Sequence, residues 1–104
     1  QNNYDLLLVV ANWPQPRQAV WNTLLRARAM ENQAYVCGVN RIGTDAAGLL
    51  YSGGSVLLDA YGNALAETES DIEQILTVTI EKEPLERFRS KFPVWEDADS
   101  FEIL

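Results

Sequence analysis

The 104-residue chain has no histidine and one cysteine, Cys37. Without histidine, neither a His-based zinc site nor a Ser-His-Asp triad can be built from this chain, and a lone cysteine excludes an internal disulfide. No apolar run approaches the roughly 20 residues of a membrane helix, so no membrane partner is expected. Basic residues are scarce: eight Lys plus Arg stand against fifteen Asp plus Glu, a formal charge of -7. That balance opposes binding to a phosphate backbone and so argues against nucleic acid. The deficit is local, because residues 67–104 hold eleven of the acidic residues and four of the basic ones. A basic, apolar leader is not legible either, which points to a cytoplasmic protein. What is present, 47% apolar, 10% aromatic and 22% charged residues, is the make-up of a folded domain.

Leu6–Ala11 is an uninterrupted apolar run and reads as a strand buried on both faces. Pro14 and Pro16 then hold Trp13 and Gln15 extended, so the chain leaves this strand through a stiff loop. Residues 17–33 lack Gly and Pro and are rich in Ala, Leu, Arg, Met and Glu, which predicts the longest helix. Residues 34–39 predict a second strand, completing a strand-helix-strand crossover. Residues 44–54 read as a glycine-rich loop around Leu49-Leu50-Tyr51. Two short strands, 55–59 and 64–67, are joined through Tyr61-Gly62-Asn63 as a hairpin. Alternation over 74–80 predicts a half-buried strand, and 83–91 a short helix. Residues 92–104 form an acidic, aromatic tail without a period.

On a helical wheel, Val20, Trp21, Leu24, Leu25 and Ala27 mark the buried arc of the long helix, and Arg17, Arg28, Glu31 and Asn32 fall inside it. Two charges there require an ion pair, which either fixes how the helix docks or closes an interface or active site. Asn12-Trp13-Pro14 lies where the first strand ends, the position at which open α/β sheets bind ligands. An aromatic and an amide there suit a small polar substrate, or Trp13 caps the edge of the core. Cys37 sits mid-strand without a basic neighbour and reads as a buried structural cysteine. Ser52 and Ser55 flank Gly53-Gly54, but no helix follows, so this is neither a nucleophile elbow nor a phosphate loop.

Tyr4-Asp5-Leu6, Ala11-Asn12-Trp13-Pro14 with Arg17 and Trp21, the run from Leu24 to Gln33, and Gly38-Val39-Asn40-Arg41 together resemble the carbon-nitrogen hydrolase (nitrilase) superfamily. Tyr51, Gly53, Ser55, the 59–62 turn, Phe92-Pro93 and Trp95-Glu96-Asp97-Ala98-Asp99 extend the likeness, in particular to its omega-amidase branch. The resemblance implies an α/β fold in which residues 1–104 are the C-terminal portion of one domain, a four-layer α-β-β-α sandwich. It implies a homodimer or higher oligomer and a small-molecule amide substrate, with neither metal nor organic cofactor. The family's Glu base, Lys and Cys nucleophile are expected upstream, in a missing N-terminal portion, so no catalytic residue is assigned here. By the same resemblance Asn12 and Trp13 are assigned to substrate binding. Arg17, Arg28, Glu31, Asn40 and Tyr51 are assigned to supporting the site or an interface. The expected activity is cleavage of a small ω-amide, of the 2-oxo-dicarboxylic acid monoamide type, to carboxylate and ammonia through a cysteine thioester. The alternative is a non-catalytic nitrilase-like module for assembly or interaction.

Overall fold

The computed structural model describes residues 4–93. Strand β1 (Leu6–Ala11) leads through a short 3-10 turn into helix α1 (Gln18–Asn32), and β2 (Tyr35–Asn40) returns beside β1. The two strands pair in parallel from Leu6 opposite Tyr35 to Ala11 opposite Asn40, which is the expected crossover. Strands β3 (Ile42–Thr44) and β4 (Leu50–Ser52) form a separate antiparallel pair. Strand β5 (Val56–Leu58) joins β2 antiparallel, and β6 (Ala64–Glu67) joins β5, for a sheet order of β1-β2-β5-β6. Helix α2 (Lys82–Lys91) comes last.

Helix α1 runs unbroken because no Gly or Pro interrupts it, and it stops at Gln33, which adopts a left-handed φ of 47°. That conformation is uncommon for glutamine, and local hydrogen bonds hold it. The Gln33 backbone N–H reaches the Ala29 and Met30 carbonyls, its buried side chain donates to the Phe92 carbonyl at 2.6 Å, and its own carbonyl accepts from Arg89 Nε at 2.9 Å. Arg89 also pairs with Asp5 at 2.7 Å and donates to the Tyr4 carbonyl, so α2 is tied to the start of β1.

Trp21, Leu25 and Ala29, spaced four apart, form the buried stripe of α1 and pack on Val36, Val56 and Leu58. Full burial of each large side chain here stabilises the fold by about 1.5–3 kcal/mol. Gly38 sets the distance of approach. A Cβ on it would stand 2.5 Å from Leu25 Cδ1 and 2.9 Å from Trp21 Cζ2, so the helix can settle on β2 only because that side chain is missing.

The structure corrects several expectations. Strand β1 is covered on one face only: Leu7, Val9 and Ala11 pack toward α1, while Leu6, Leu8 and Val10 are 37%, 63% and 80% exposed. An unbroken apolar run hides this alternation, since both faces carry apolar side chains. Cys37 shares the open face with Leu57, to which it pairs, and is half-buried rather than buried. Residues 44–54 are not all loop, because Asp45 organises a tight turn that lets β3 and β4 pair. Residues 74–80 form no strand. They line the open face together with Leu6, Leu8 and Cys37, enclosing a trough of ≈ 440 Å³, and Ile75 stays 94% exposed. Arg28 and Glu31 pair at 2.8 Å, but on the solvent side of α1, because the buried stripe is narrower than the apolar arc that Val20 and Leu24 suggest. The expected tail at 92–104 lies almost wholly outside the described residues, as do Trp95, Glu96, Asp97, Ala98 and Asp99. Among the described residues, no helix is long and apolar enough to cross a membrane.

Candidate functional site

The polar residues converge at the C-terminal end of β1, where β2 turns away into β3. Asn40 is the last residue of β2 and is buried. Its Oδ1 accepts the Trp13 backbone N–H at 2.7 Å, and its Nδ2 donates to the Trp13 carbonyl at 2.9 Å and to the Gly53 carbonyl at 2.8 Å. One side-chain amide therefore clamps the loop after β1 to the loop after β4. Each such bond to a buried group contributes about 1 kcal/mol net, and an orphaned partner would cost about 1–3 kcal/mol.

The neighbours complete the clamp. Ser55 Oγ accepts the Asn40 backbone N–H at 2.9 Å and donates to the Asn40 carbonyl at 3.3 Å. Trp21 Nε1 donates to the Gly54 carbonyl at 2.9 Å, and Gln18 Nε2 reaches the Gly53 carbonyl at 3.4 Å. Gly53 and Gly54 have φ of 85° and 70°, a backbone that favours glycine, and a Cβ on Gly54 would also push aside the end of the Gln18 side chain, 2.2 Å away.

Asn12 and Trp13 are brought to the same place but serve differently. The Trp13 ring lies on the α1 side of the sheet, 5.8 Å from the Trp21 ring, and its Nε1 donates to the Arg17 carbonyl at 2.7 Å. It anchors the loop. Asn12 is exposed, and strand alternation puts it on the other side, in line with Leu8 and Val10. Arg17 meets the loop through its backbone, whereas Arg28 and Glu31 lie on the solvent side of α1, away from it.

Tyr51 is buried in the β3-β4 pair, where its hydroxyl donates to Asp45 Oδ2 at 2.8 Å and the Arg41 guanidinium lies 4.6 Å from its ring centre. The Asp45 carboxyl is held below its ordinary value, chiefly by the Leu49 backbone N–H and next by the Tyr51 hydroxyl. The same bond, with burial, pushes the Tyr51 hydroxyl up. Sequence reasoning does not reach Gln18 or Asp45. Asp45 followed two residues on by a small residue and then Gly48 is an Asx-turn signal, and it was there to be read.

Chemically, the cluster can hold and orient a polar group, but it assembles no nucleophile with a base. The Ser55 hydroxyl is committed to the Asn40 backbone, and Cys37 lies on the sheet face with apolar neighbours. Among the described residues, no three His, Cys, Asp or Glu side chains gather to hold a metal ion.

The profile of the carbon-nitrogen hydrolases matches residues 1–90. The chain belongs to that family. Over all 104 residues it is 48% identical to omega-amidase YafV of Yersinia enterocolitica, covering 41% of that protein. It is 39% identical over 92 residues to a 2-oxoglutaramate amidase of Paenarthrobacter nicotinovorans, which is 88% of this chain and 31% of that one. Among solved structures, XC1258 of Xanthomonas campestris, a CN-hydrolase superfamily protein with an arsenic adduct in its active site, superposes with a TM-score of 0.91. It is 44% identical, and the match covers 97% of this chain and 38% of that one. The α/β nitrilase-like fold implied by the resemblance is thus shown, and the chain spans about a third to two-fifths of the length of these relatives. The described residues hold a four-stranded sheet, the β3-β4 pair and a helix that covers one face of the larger sheet.

Proposed function

We propose that this chain is the C-terminal portion of an amidase. The enzyme cleaves a small ω-amide of a 2-oxo-dicarboxylic acid to carboxylate and ammonia, with its Glu, Lys and Cys contributed by residues upstream of Tyr4. The observation that carries this reading is the likeness to an omega-amidase along the whole chain. The open apolar face of Leu6, Leu8 and Val10 supports it, since a sheet so exposed calls for a second layer, and the upstream portion supplies it.

In the proposed reaction the upstream thiolate attacks the amide carbon, and the C–N bond breaks as the nitrogen takes a proton and leaves as ammonia. Water then cleaves the thioester. This chain contributes the wall of the pocket: Asn12 faces the substrate, and Trp13, Asn40 and Arg17 hold the loop that carries it. Stabilising the tetrahedral intermediate depends on donors fixed before the reaction, which is what a clamped loop provides. The outer surface of α1, with Val20, Leu24 and Met30 exposed beside the Arg28–Glu31 pair, meets a second subunit.

The test is ammonia release by the full-length protein from a panel of 2-oxo-acid ω-amides and simple aliphatic amides. Turnover that favours the 2-oxo acids and is abolished by thiol alkylation supports the reading. A full-length protein that releases ammonia from none of them overturns it.

A further inference from the structure

The geometry points to Asn40 as a positioning residue that extends the sheet by one step and thereby fixes where Asn12 stands. The inference rests on the amidase reading for its kinetic consequence, but not for its structural content. The parallel ladder ends at Ala11 opposite Asn40, after which the backbone of β2 leaves for β3. Beyond that point Trp13 has no strand beside it. The Asn40 side chain replaces one, accepting the Trp13 N–H and donating to the Trp13 carbonyl, bonds that two peptide groups of a neighbouring strand would otherwise make. Its second N–H goes to Gly53, so the loop is held from β2 and from the β4 side at once.

Asn12 lies between two fixed points, the Ala11 end of the ladder and the clamped Trp13 peptide. With the Trp13 ring packed toward α1, alternation leaves the Asn12 side chain a single direction, toward the open face. Asn40 therefore acts through Asn12. Its geometry is specific: the bonds need an acceptor and two donors on one short side chain, which among the twenty residues is an asparagine at this length. Aspartate keeps the acceptor and loses both donors. Glutamine has the same groups one methylene too far.

The experiment uses the full-length protein with a 2-oxo-acid ω-amide as substrate, and reads KM, kcat and hydrogen exchange of the peptide spanning Asn12 to Gln15. In Asn40→Ala, the Trp13 amide is expected to lose its exchange protection, and KM to rise about tenfold or more while kcat falls less, because a displaced loop misplaces its contact group. Leu58→Val, a core change away from the loop, lowers the melting temperature and leaves both readouts at their wild-type values. Should Asn40→Ala fail to fold, Asn40→Asp decides. Its KM relative to the wild type is raised at neutral pH, and that ratio falls back as acid protonates the carboxyl and restores one donor. Unchanged KM and unchanged exchange in Asn40→Ala, or the same changes in Leu58→Val, would overturn the inference. If the wild type releases no ammonia, the amidase reading fails by itself. The exchange measurement then still decides the clamp: lost protection upholds it and retained protection overturns it.

Discussion

The two faces of the β1-β2-β5-β6 sheet differ in what each asks of the chain. The α1 face is complete: Trp21, Leu25 and Ala29 are at most 4% exposed, and Gly38 is cut to fit them. On the opposite face Leu8 and Val10 remain 63% and 80% exposed, and among the described residues the irregular run 74–80 lies along it. Apolar content alone does not separate the faces. The separation comes from fit, since a residue as small as Gly38 is chosen only where its covering element is already present.

The largest expected effect breaks the complete face. Trp21→Ala removes a buried ring and leaves the Gly54 carbonyl without its donor, for a loss of about 3–5 kcal/mol in a urea unfolding curve of the full-length protein. Leu8→Ala sharpens the contrast. It costs about 2–4 kcal/mol in the full-length protein, where a second layer buries it, and under about 1 kcal/mol in the isolated chain. The isolated chain is also expected to associate, with apparent mass rising with concentration in sedimentation, and Val10→Asp to suppress that association. A smaller effect concerns Cys37, which lies on the open face without a catalytic partner. Cys37→Ala in the full-length protein leaves turnover within about threefold, and a loss of activity would reassign that residue.

Acid gives the mildest effect, at the β3-β4 turn. The folded Asp45 carboxyl titrates below its ordinary value of 3.8, so the folded state binds fewer protons than the unfolded chain as that range is approached. Its stabilising contribution is present in full above the ordinary carboxylate range and is lost as pH falls through the lowered value. The turn amides of Ala47 and Leu49 should exchange faster in acid than the pH dependence of intrinsic exchange allows, and Asp45→Asn should remove that excess. Asp5, held low first by its Arg89 hydrogen bond, adds a second acid-sensitive tie of the same sign.

Much of this arrangement was legible in the sequence. The apolar run of β1, the Gly- and Pro-free stretch of α1 and the Tyr61-Gly62-Asn63 turn are local signals, and local signals set local structure. The failures have a common cause, which is that pairing and coverage are decided at a distance. Alternation at 74–80 describes a strand only if an edge accepts it, and the sheet ends at β6 instead. The β3-β4 pair was hidden by Gly43, which takes a positive φ within β3 opposite Tyr51, and by Gly48, whose positive φ serves the turn. The charges of Arg28 and Glu31 looked buried because the apolar arc of α1 is wider than the stripe that the sheet covers. Trp13, Asn40 and the Arg17 backbone come together at the end of β1, whereas Tyr51 packs in the β3-β4 pair and Arg28 and Glu31 lie on the solvent side of α1. That the Trp13 ring turns toward α1 could not be read, because it depends on which way the loop is clamped by Asn40.

The most direct measurement is ammonia release from a 2-oxo-acid ω-amide by the full-length protein and, in parallel, by the 104-residue chain alone. Release by the full-length protein and none by the shorter chain is the expected result. Comparable release by the 104-residue chain would contradict the assignment of the reacting groups to the upstream portion.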